Sequence, residues 1–506
     1  MSDCVISMAY KRWTRVVVLL ACLLLAPPAF AIGWSLILQQ GQIGLALPDV
    51  QSGDWQATGL RTDTVTSVAA DNRKITVHFK PGSRLQVARV VHDRSGVTTE
   101  LDDVQVDLSD ATLTVNLSGT GAAIDRSTLA GNLTIDVGEV RHPGIKPQGW
   151  QFEGRVDGAW ADLNIAGQLR SDSGLMANVT LRNVPEEFLA ARITLAMAAE
   201  RVSKALANTL KDWPELLELN AGQLRVDTTL RLEPGAPLAL DGRVDADSIG
   251  GLMDRTALSG LTGRLLVNLE NDALVARFRD VTVAQVNSGI GIGPIQLLAD
   301  YRAKQSDLLA GIFDIQQATA SFLDGRLRVA PGTIDLADEP WQLPVDVTEV
   351  SLARLLQVYP AEGFAGTGLL TGRVPVMVSA DGVSVVQGKI AAVAPGGRLQ
   401  LPAERLLAML GRSEAMELVV QALQNFHYSV LDSTIDYDNK GRLVLGLRVE
   451  GENPEVRDGQ PVVLNINLEE DIPALLTSLQ LSGRVNEAVT ERVRERLNPS
   501  VQETVP

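Results

Sequence analysis

Cysteine is almost absent from this chain of 506 residues. The only two cysteines are Cys4 and Cys22, both close to the first residue. The rest of the chain therefore has neither a disulfide framework nor a metal site built from thiolates. The lack of disulfides leaves the redox compartment open, because it fails to support an oxidising environment without contradicting one.

Basic clusters and aromatic residues are scarce as well. The chain has 45 Lys and Arg against 61 Asp and Glu, a net charge of −16, and 4% aromatic residues. We expect no binding to nucleic acid, because phosphate contacts need clustered basic side chains. We expect no general disorder either, because 45% of the residues are hydrophobic. Such a composition favours a sheet with an extensive aliphatic surface.

Catalytic and metal-binding motifs are also missing from the sequence. No two of the four histidines, His78, His92, His142 and His427, have the spacing of metal ligands. The chain contains no His-Glu-x-x-His, no Gly-x-Ser-x-Gly and no Walker loop. Adjacent carboxylates on a strand face opposite ways and cannot act as an acid/base couple. We therefore predict that the protein is not an enzyme and has no catalytic residue, metal or cofactor.

Two stretches imitate ligand-binding loops. Gly366–Gly372 resembles the start of a dinucleotide-binding loop, but a strand pattern follows it where that loop needs a helix. Asp436–Gly441 begins like an EF-hand loop, but Lys440 and Leu447 occupy the fifth and twelfth positions, which should hold calcium ligands. We interpret the first as glycines at a close approach of backbones, and the second as a hairpin turn.

What is present begins with an apolar, uncharged run from Val16 to Leu38, preceded by three basic residues. This run is long enough to cross a bilayer core of ~30 Å as a helix, and the basic flank predicts a cytoplasmic segment 1–15. A signal peptide is the alternative, with an apolar core at Val16–Ala26 and a small-residue cleavage site at Ala29–Ala31. Under both interpretations the rest of the chain is exported from the cytoplasm.

Alternation of apolar and polar residues dominates the chain after this run. A period of two, interrupted by Gly, Asn, Asp or Pro, is typical of strands joined by turns. Examples are Lys74–Lys80, Ala111–Leu117, Gly131–Val137 and Ala161–Gly167. From Pro185 to Leu219 acidic residues follow a proline and apolar residues recur near helical spacing, which predicts a helical insert. Helices are also predicted over Ala403–Gln424 and Asn486–Leu497.

The last third of the chain has a distinctive order of turn and strand motifs. They are Gly366–Pro375, Gly388–Gly397, Asn425–Tyr428, Asp436–Gly441, Gly451–Pro454 and Leu464–Leu468. Their order resembles that of the C-terminal domain of the YdbH-like proteins, AsmA-like envelope proteins of Gram-negative bacteria. The resemblance extends upstream through Val350–Pro360 and Leu323–Leu327, and more faintly to Leu219–Leu224.

This resemblance implies both a fold and a function. The expected fold is mainly β: an elongated, curved, largely antiparallel β-groove with a few helices and one N-terminal transmembrane helix. The implied function is that of an inner-membrane bridge protein of the lipid-transfer type. Its body would lie in the periplasm and carry phospholipids between inner and outer membrane along an apolar groove. The resemblance also implies a small outer-membrane lipoprotein as a partner, which we expect at the C-terminal end.

The sequence and the resemblance together divide the chain into segments. They are a cytoplasmic N-terminus (1–15), an anchor or uncleaved signal sequence (16–38), β-rich regions (39–184 and 220–362) separated by the helical insert (185–219), the C-terminal YdbH-like domain (363–485), and a charged helix and tail (486–506).

The candidate lipid-contacting residues are the apolar residues on one face of each strand. They are Ile75, Val77, Phe79, Leu113, Val115, Leu117, Leu224, Val226, Leu265, Val267, Leu443, Leu445, Leu447, Leu464, Ile466 and Leu468. For each of them, packing in a sealed core is an equally open interpretation. Two other functions stay open: an envelope adaptor that binds a partner without conducting lipid, and an accessory of a solute transporter. A single apolar span without intramembrane charges argues against a transporter itself.

Overall fold

The computed structural model describes residues 35–52, 54–94, 97–118, 126–358, 365–400, 420–456 and 459–474. These residues fall into two compact units. Unit 1 comprises the described residues up to Asp245 together with Val267–Asp272, and unit 2 comprises Ala246–Leu266 and the described residues from Ala273 onward. Strands β13 (Ala239–Met253) and β14 (Thr256–Glu270) contribute residues to both units.

Unit 1 is built on antiparallel strands. They are β1 (Ser35–Ser52), β2 (Trp55–Asp71), β3 (Lys74–Phe79), β4 (Arg84–Arg94), β5 (Val97–Asp107), β6 (Thr112–Asn116), β7 (Ser127–His142), β8 (Ile145–Ala159), β9 (Asp162–Ser171), β10 (Met176–Val184), β11 (Phe188–Ala198) and β12 (Leu217–Leu232). The long strand β2 pairs with β1 and with both β3 and β4, and β7 pairs with both β5 and β6. From β7 to β12 each strand pairs with the next in sequence. Helix α1 (Ala199–Thr209) follows β11 and packs against β8, β11 and β12.

Unit 2 is antiparallel as well. Its strands after β14 are β15 (Ala273–Val283), β16 (Gln285–Asn287), β17 (Gly291–Ile292), β18 (Ile295–Lys304), β19 (Asp307–Phe322), β20 (Gly325–Val329), β21 (Gly332–Asp335), β22 (Trp341–Ser351), β23 (Ala365–Thr367), β24 (Leu369–Ser379), β25 (Gly382–Ala392), β26 (Gly397–Gln400), β27 (Phe426–Tyr437), β28 (Arg442–Glu452) and β29 (Val462–Asp471). Helix α2 (Leu352–Val358) follows β22. The last strands pair in the order β22, β24, β25, β27, β28 and β29.

The predicted mainly-β, largely antiparallel fold is therefore confirmed, and the four example strands fall on β3, β6, β7 and β9. The helix predictions needed correction. Ser35–Leu38, the end of the predicted membrane span, belongs to strand β1. Within the described residues no helix has the length and apolar character needed to cross a membrane. The rest of the predicted span, residues 16–34, lies outside the described residues, as does Asn486–Leu497.

The predicted helical insert is only partly helical. Phe188–Ala198 forms strand β11, and the helix begins at Ala199 instead of near Pro185. This segment forms a strand and not the predicted helix because it pairs with β10 on one side and with β12 on the other. Of the predicted helix Ala403–Gln424, the described residues begin at 420, and residues 420–423 are helical.

Each unit has its own buried cluster of apolar side chains. In unit 1, Leu60, Val87 and Val104 lie side by side on β2, β4 and β5. The cluster in unit 2 is larger and joins strands to helices: Val347, Val350, Leu352, Leu370, Leu423, Phe426, Tyr428, Leu431 and Val449. Apolar burial is the main favourable term in folding, so these clusters anchor the two units.

A buried hydroxyl near the start of unit 1 gives a test of its packing. The side chain of Thr66 on β2 is 1% exposed, and its Oγ1 has no hydrogen-bond partner in the described part of the chain. Thr64, two residues earlier on the same strand, donates its hydroxyl to the Ile43 carbonyl at 3.3 Å. An unpaired buried hydroxyl carries a desolvation penalty that valine, of nearly the same shape, does not.

We predict that Thr66→Val raises the free energy of unfolding by about 1 kcal/mol, since it removes an unsatisfied polar group. Thr64→Val is the matched control, and it should give no gain because it deletes a hydrogen bond. Urea unfolding followed by circular dichroism measures both variants. A destabilised Thr66→Val protein would show that this hydroxyl has a partner after all.

Candidate functional site

The strands of unit 1 separate apolar from polar side chains onto opposite faces. One row of directly opposed residues crosses β8 to β12 as Val156, Ile165, Leu181, Ala191 and Leu230. The neighbouring row on the other side of the sheet reads Arg155, Ala166, Thr180, Arg192 and Thr229. Because side chains alternate along a strand, this register gives the sheet one aliphatic face and one polar face. We call them the apolar face and the polar face of unit 1.

The apolar face extends over several rows of this sheet. Val179 lies opposite Ile193, and Phe152 lies opposite Leu169. Most of these side chains are half-buried, whereas Val156 is 2% exposed. Helix α1 packs against β8, β11 and β12, where its Val202 and Ala205 are buried. A half-buried aliphatic surface of this kind is suited to contact with an apolar ligand.

Two arginines on the polar face of unit 1 form ion pairs with aspartates on neighbouring strands. Arg182 contacts Asp162 at 2.8 Å, and Arg192 contacts Asp227 at 2.6 Å. The hydrogen bond from the arginine lowers the pKa of Asp162, and the same cause lowers the pKa of Asp227. Both pairs are exposed and contribute little stability. The two ion pairs hold their ionised groups on the polar face, away from the apolar face.

Residues with positive φ in several strands preserve the apolar face where simple alternation would lose it. Leu101 and Val104 are three residues apart on β5, yet both pack in the buried cluster of unit 1. Asp103 between them has a φ of 52°, while the register of β5 with β4 and β7 does not shift there. Likewise Ala57 and Leu60 on β2 lie in one cluster, and Gly59 between them has a φ of 66°. In both strands the residue with positive φ returns the next apolar residue to the same side.

In unit 1 the structure brings several of the predicted groove residues together. Ile75 and Val77 on β3 lie opposite Val115 and Leu113 on β6, so these four share one face. Val115 is buried and the others are half-buried.

The other predicted residues before β28 are more scattered. Phe79 lies opposite Thr66. Leu117 follows the end of β6, outside any strand. Leu224 and Val226 lie opposite Met197 and Leu195 of β11. Leu265 and Val267 both lie on β14 and are half-buried, but they belong to different units.

In unit 2 the predicted residues of β28 and β29 meet directly. Leu445 lies opposite Leu468, and Leu447 lies opposite Ile466. Leu464 lies opposite Val449, and Leu443 is opposite Tyr437 on the other neighbour, β27. These residues form what we call the apolar face of unit 2. The face opposite to it, which carries Thr434, Gly446 and Asn467, is the polar face of unit 2.

Part of the apolar face of unit 2 is covered. Leu447 and Leu464 pack against the buried cluster that includes Leu352 of α2 and Leu423. Leu443, Leu445, Ile466 and Leu468 are half-buried and lie outside that cluster. The predicted set therefore divides into residues beside a sealed core and residues that remain accessible, and the role of each in lipid contact stays a prediction.

Sequence reasoning missed the apolar residues of β8, β10 and β11. Leu189, Ala191, Ile193, Leu195 and Met197 alternate with period two along β11. This signal was present in the sequence, but Leu189, Ile193 and Met197 also recur at helical spacing, and a helix was the interpretation adopted. Pairing with β10 and β12 decides between the two, and a single sequence does not show pairing.

The two stretches that imitate ligand loops are structural turns. The Asp438 carboxylate accepts hydrogen bonds from the backbone N–H groups of Lys440 and Arg442, both at 2.9 Å, and closes the β27–β28 hairpin. Gly368 has a φ of 128°, and a Cβ there would overlap the Tyr428 hydroxyl, which donates to the Thr367 carbonyl at 2.8 Å. Strand β24 follows this glycine, as the sequence predicts. Across the residues that the structure describes, no group of three His, Cys, Asp or Glu side chains is placed to hold a metal.

The division of the apolar face in unit 2 predicts unequal costs for two similar substitutions. Leu447→Ala should lower the free energy of unfolding by about 2 kcal/mol, because it leaves space beside the buried cluster. Leu443→Ala, on the same strand and the same face, should cost under about 1 kcal/mol because its side chain is outside that cluster. Urea midpoints of the two variants measure the difference. Equal costs would contradict the assignment of Leu447 to the covered part.

A comparison with known protein families gives a match over nearly the whole chain. The family model described as "YdbH-like: Intermembrane phospholipid transport protein YdbH" matches residues 17–494, nearly the whole chain. The match includes both units and confirms the family that the C-terminal motifs indicated. No curated protein and no solved structure gave a significant match.

Proposed function

The chain belongs to the YdbH-like family, and on that premise we propose that it is a bridge protein that carries phospholipids between the inner and outer membranes. The observation that supports this most is the half-buried aliphatic row across β8 to β12, backed by a polar opposite face. Phospholipid tails lie along the apolar faces, and their head groups stay in water.

The energetic reason is the cost of hydrocarbon in water. Each CH₂ group removed from water contributes about 0.8 kcal/mol, so a whole acyl chain in the aqueous periplasm carries a large penalty. Aliphatic side chains in successive rows replace water along the path of the tail. The tails slide passively, because the sequence carries no Walker loop that would bind a nucleotide. Direction then follows from the lipid supply in the two membranes.

The proposed location rests on the N-terminal segment. The part of the apolar run that precedes Ser35, residues 16–34, follows three basic residues, which are typical of the cytoplasmic side of a membrane segment. We place this run in the inner membrane and units 1 and 2 in the periplasm.

Two substitutions at neighbouring positions of β28 test the lipid path. Leu445→Asp places a carboxylate on the apolar face of unit 2, where it costs a passing tail several kcal/mol. Val444→Asp, next to it, places the same group on the polar face, where Val444 is 36% exposed. We expect the purified chain to retain phospholipid, Leu445→Asp to lose most of it, and Val444→Asp to retain it.

Mass spectrometry of lipid extracted from the purified proteins, referred to protein amount, measures the retained phospholipid. Circular dichroism establishes that both variants are folded. Phospholipid-free wild-type protein, or equal loss in the two variants, would reject the lipid path.

The alternative function is that of an envelope adaptor, and the edge of β29 favours it. Among the described strands β29 pairs with β28 alone, so its other edge offers backbone groups to a strand from a partner. In the bridge function this edge is where a small outer-membrane lipoprotein adds strands. An adaptor would bind a partner there while retaining no lipid.

We predict that a photocrosslinker at Val463, which is 56% exposed on β29, captures a small lipoprotein in cells. A crosslinker at Leu113 on β6 is the control and should not capture it. Mass spectrometry of the crosslinked product identifies the partner. Equal capture at both positions, or capture at Leu113 alone, removes the reason for placing the outer-membrane contact at β29.

A further inference from the structure

The polar face of unit 2 carries an open cavity of about 1050 Å³. Its floor includes a row of directly opposed residues on successive strands from β20 to β29. They are Arg328, Asp346, Arg373, Lys389, Thr434, Gly446 and Asn467. This row lies on the side of the sheet opposite Leu443, Leu445 and Leu447, so it takes no part in the proposed lipid path.

The cavity is basic in an acidic protein. Four basic side chains, Arg328, Arg373, Lys389 and Arg448, line it against two carboxylates, Asp346 and Asp432. The lining therefore has a net charge of +2, while the whole chain has −16. A second cavity on the same unit contains His427, Glu450 and Glu452 and no lysine or arginine. Of the four basic side chains, Arg448 forms an ion pair with Glu450, which lies outside the lining of the first cavity.

Within the cavity one cation is left without a partner. Lys389 and Arg373 are directly opposite each other on β25 and β24, a placement that is unfavourable for like charges. Arg373 contacts Asp346 at 2.8 Å, and Arg328 contacts the same carboxylate at 3.2 Å. These two arginines lower the pKa of Asp346, Arg373 more than Arg328. Within the described ranges the side chain of Lys389 has neither a hydrogen bond nor an ion pair, and its neighbour on β27 is the uncharged Thr434.

The space next to Lys389 has the chemistry of a small polar ligand. Gly446 has no side chain, and a Cβ there would come about 2.5 Å from the Thr434 hydroxyl, so the floor stays open at this point. Asn465 and Asn467 line the cavity beyond Gly446, where their amides are able to donate and accept hydrogen bonds. Asp432 adds an acceptor for ligand hydroxyl groups.

We propose that this cavity binds a phosphate ester that carries hydroxyl groups. Its phosphate lies between Arg373 and Lys389, where it relieves the repulsion between the two cations. Its hydroxyl groups contact Asn467 and Asp432. The volume exceeds that of phosphate alone, and a glycerophosphate group supplies both the charge and the hydroxyls. Such a group occurs in lipid head groups and in soluble metabolites.

Isothermal titration calorimetry of the full chain with glycerol 3-phosphate, and separately with inorganic phosphate, tests the proposal. Lys389→Gln should weaken binding of glycerol 3-phosphate roughly tenfold, because it removes a charge-assisted contact and keeps the size of the side chain. Arg373→Gln should weaken it by a similar factor. Lys440→Gln, in the β27–β28 turn and outside the cavity lining, is the control and should bind like the wild type.

Vesicles containing phosphatidylglycerol separate the two sources of the ligand. They are tested on the Leu445→Asp background, so that binding by the apolar face is removed. Lys389-dependent binding to vesicles, to glycerol 3-phosphate or to both supports the proposal and identifies the source. Binding that Lys389→Gln leaves unchanged, or the absence of binding to every probe, overturns it. An equal response to inorganic phosphate would overturn the role of the hydroxyl contacts.

Discussion

The structure depends on one constraint: the alternation of apolar and polar residues has to stay in phase from each strand to the next. A slip of one residue would move every side chain of a strand to the other face of its sheet. In unit 1 it would carry Arg182 and Arg192 onto the aliphatic side and break their contacts with Asp162 and Asp227. Exposed ion pairs stabilise little, but a misplaced arginine is costly, so these pairs act mainly on register.

Long strands do not keep this phase by themselves, and residues with positive φ restore it in both units. Val347 and Val350 are three residues apart on β22, yet both lie in the buried cluster of unit 2, and Glu349 between them has a φ of 53°. The register of β22 with β24 shifts between these two valines, which marks a β-bulge. Asp103 lies between Leu101 and Val104 in unit 1 and also has a positive φ, but the register of β5 with its neighbours does not shift there. The two units therefore restore the apolar face with different irregularities of the backbone.

Features of the fold that depend on neighbouring residues could be predicted from the sequence, whereas features that depend on pairing with distant residues could not. The faces of β28 and β29 were predictable, because leucine and isoleucine alternate there mostly with polar or small residues and one hairpin turn joins β27 to β28. Strand β11 was not, since its alanines suit a helix and a strand equally and pairing with distant residues decides. Ser35–Leu38 shows the same limit. An apolar run has no period that distinguishes a membrane segment from the start of β1.

The strand face of each residue could be predicted, but not whether that residue is covered. In unit 2 the covered and the accessible residues follow the same alternating pattern in the sequence. Leu447 packs against the buried cluster and Leu443 does not, and this difference depends on cluster residues that are distant in sequence, such as Leu352 and Leu370. Lys389 likewise has no distinguishing sequence context, and only the pairing of β24 with β25 shows that it lies directly opposite Arg373.

The partial cover of the apolar face reconciles folding with transport. A sheet whose apolar face was wholly sealed would be stable but would have no path for a lipid tail. A sheet left wholly open would lose the burial that stabilises it, at about 25 cal/mol for each Å² of apolar surface. Unit 2 seals the side of its face next to α2 and leaves Leu443, Leu445 and Leu468 half-buried. In the proposed function, a lipid tail supplies the missing cover on the open side. A tail bound there would add stability by mass action, provided that it binds the folded chain and not the unfolded one. The proposal therefore couples occupancy of the path to stability of the sheet.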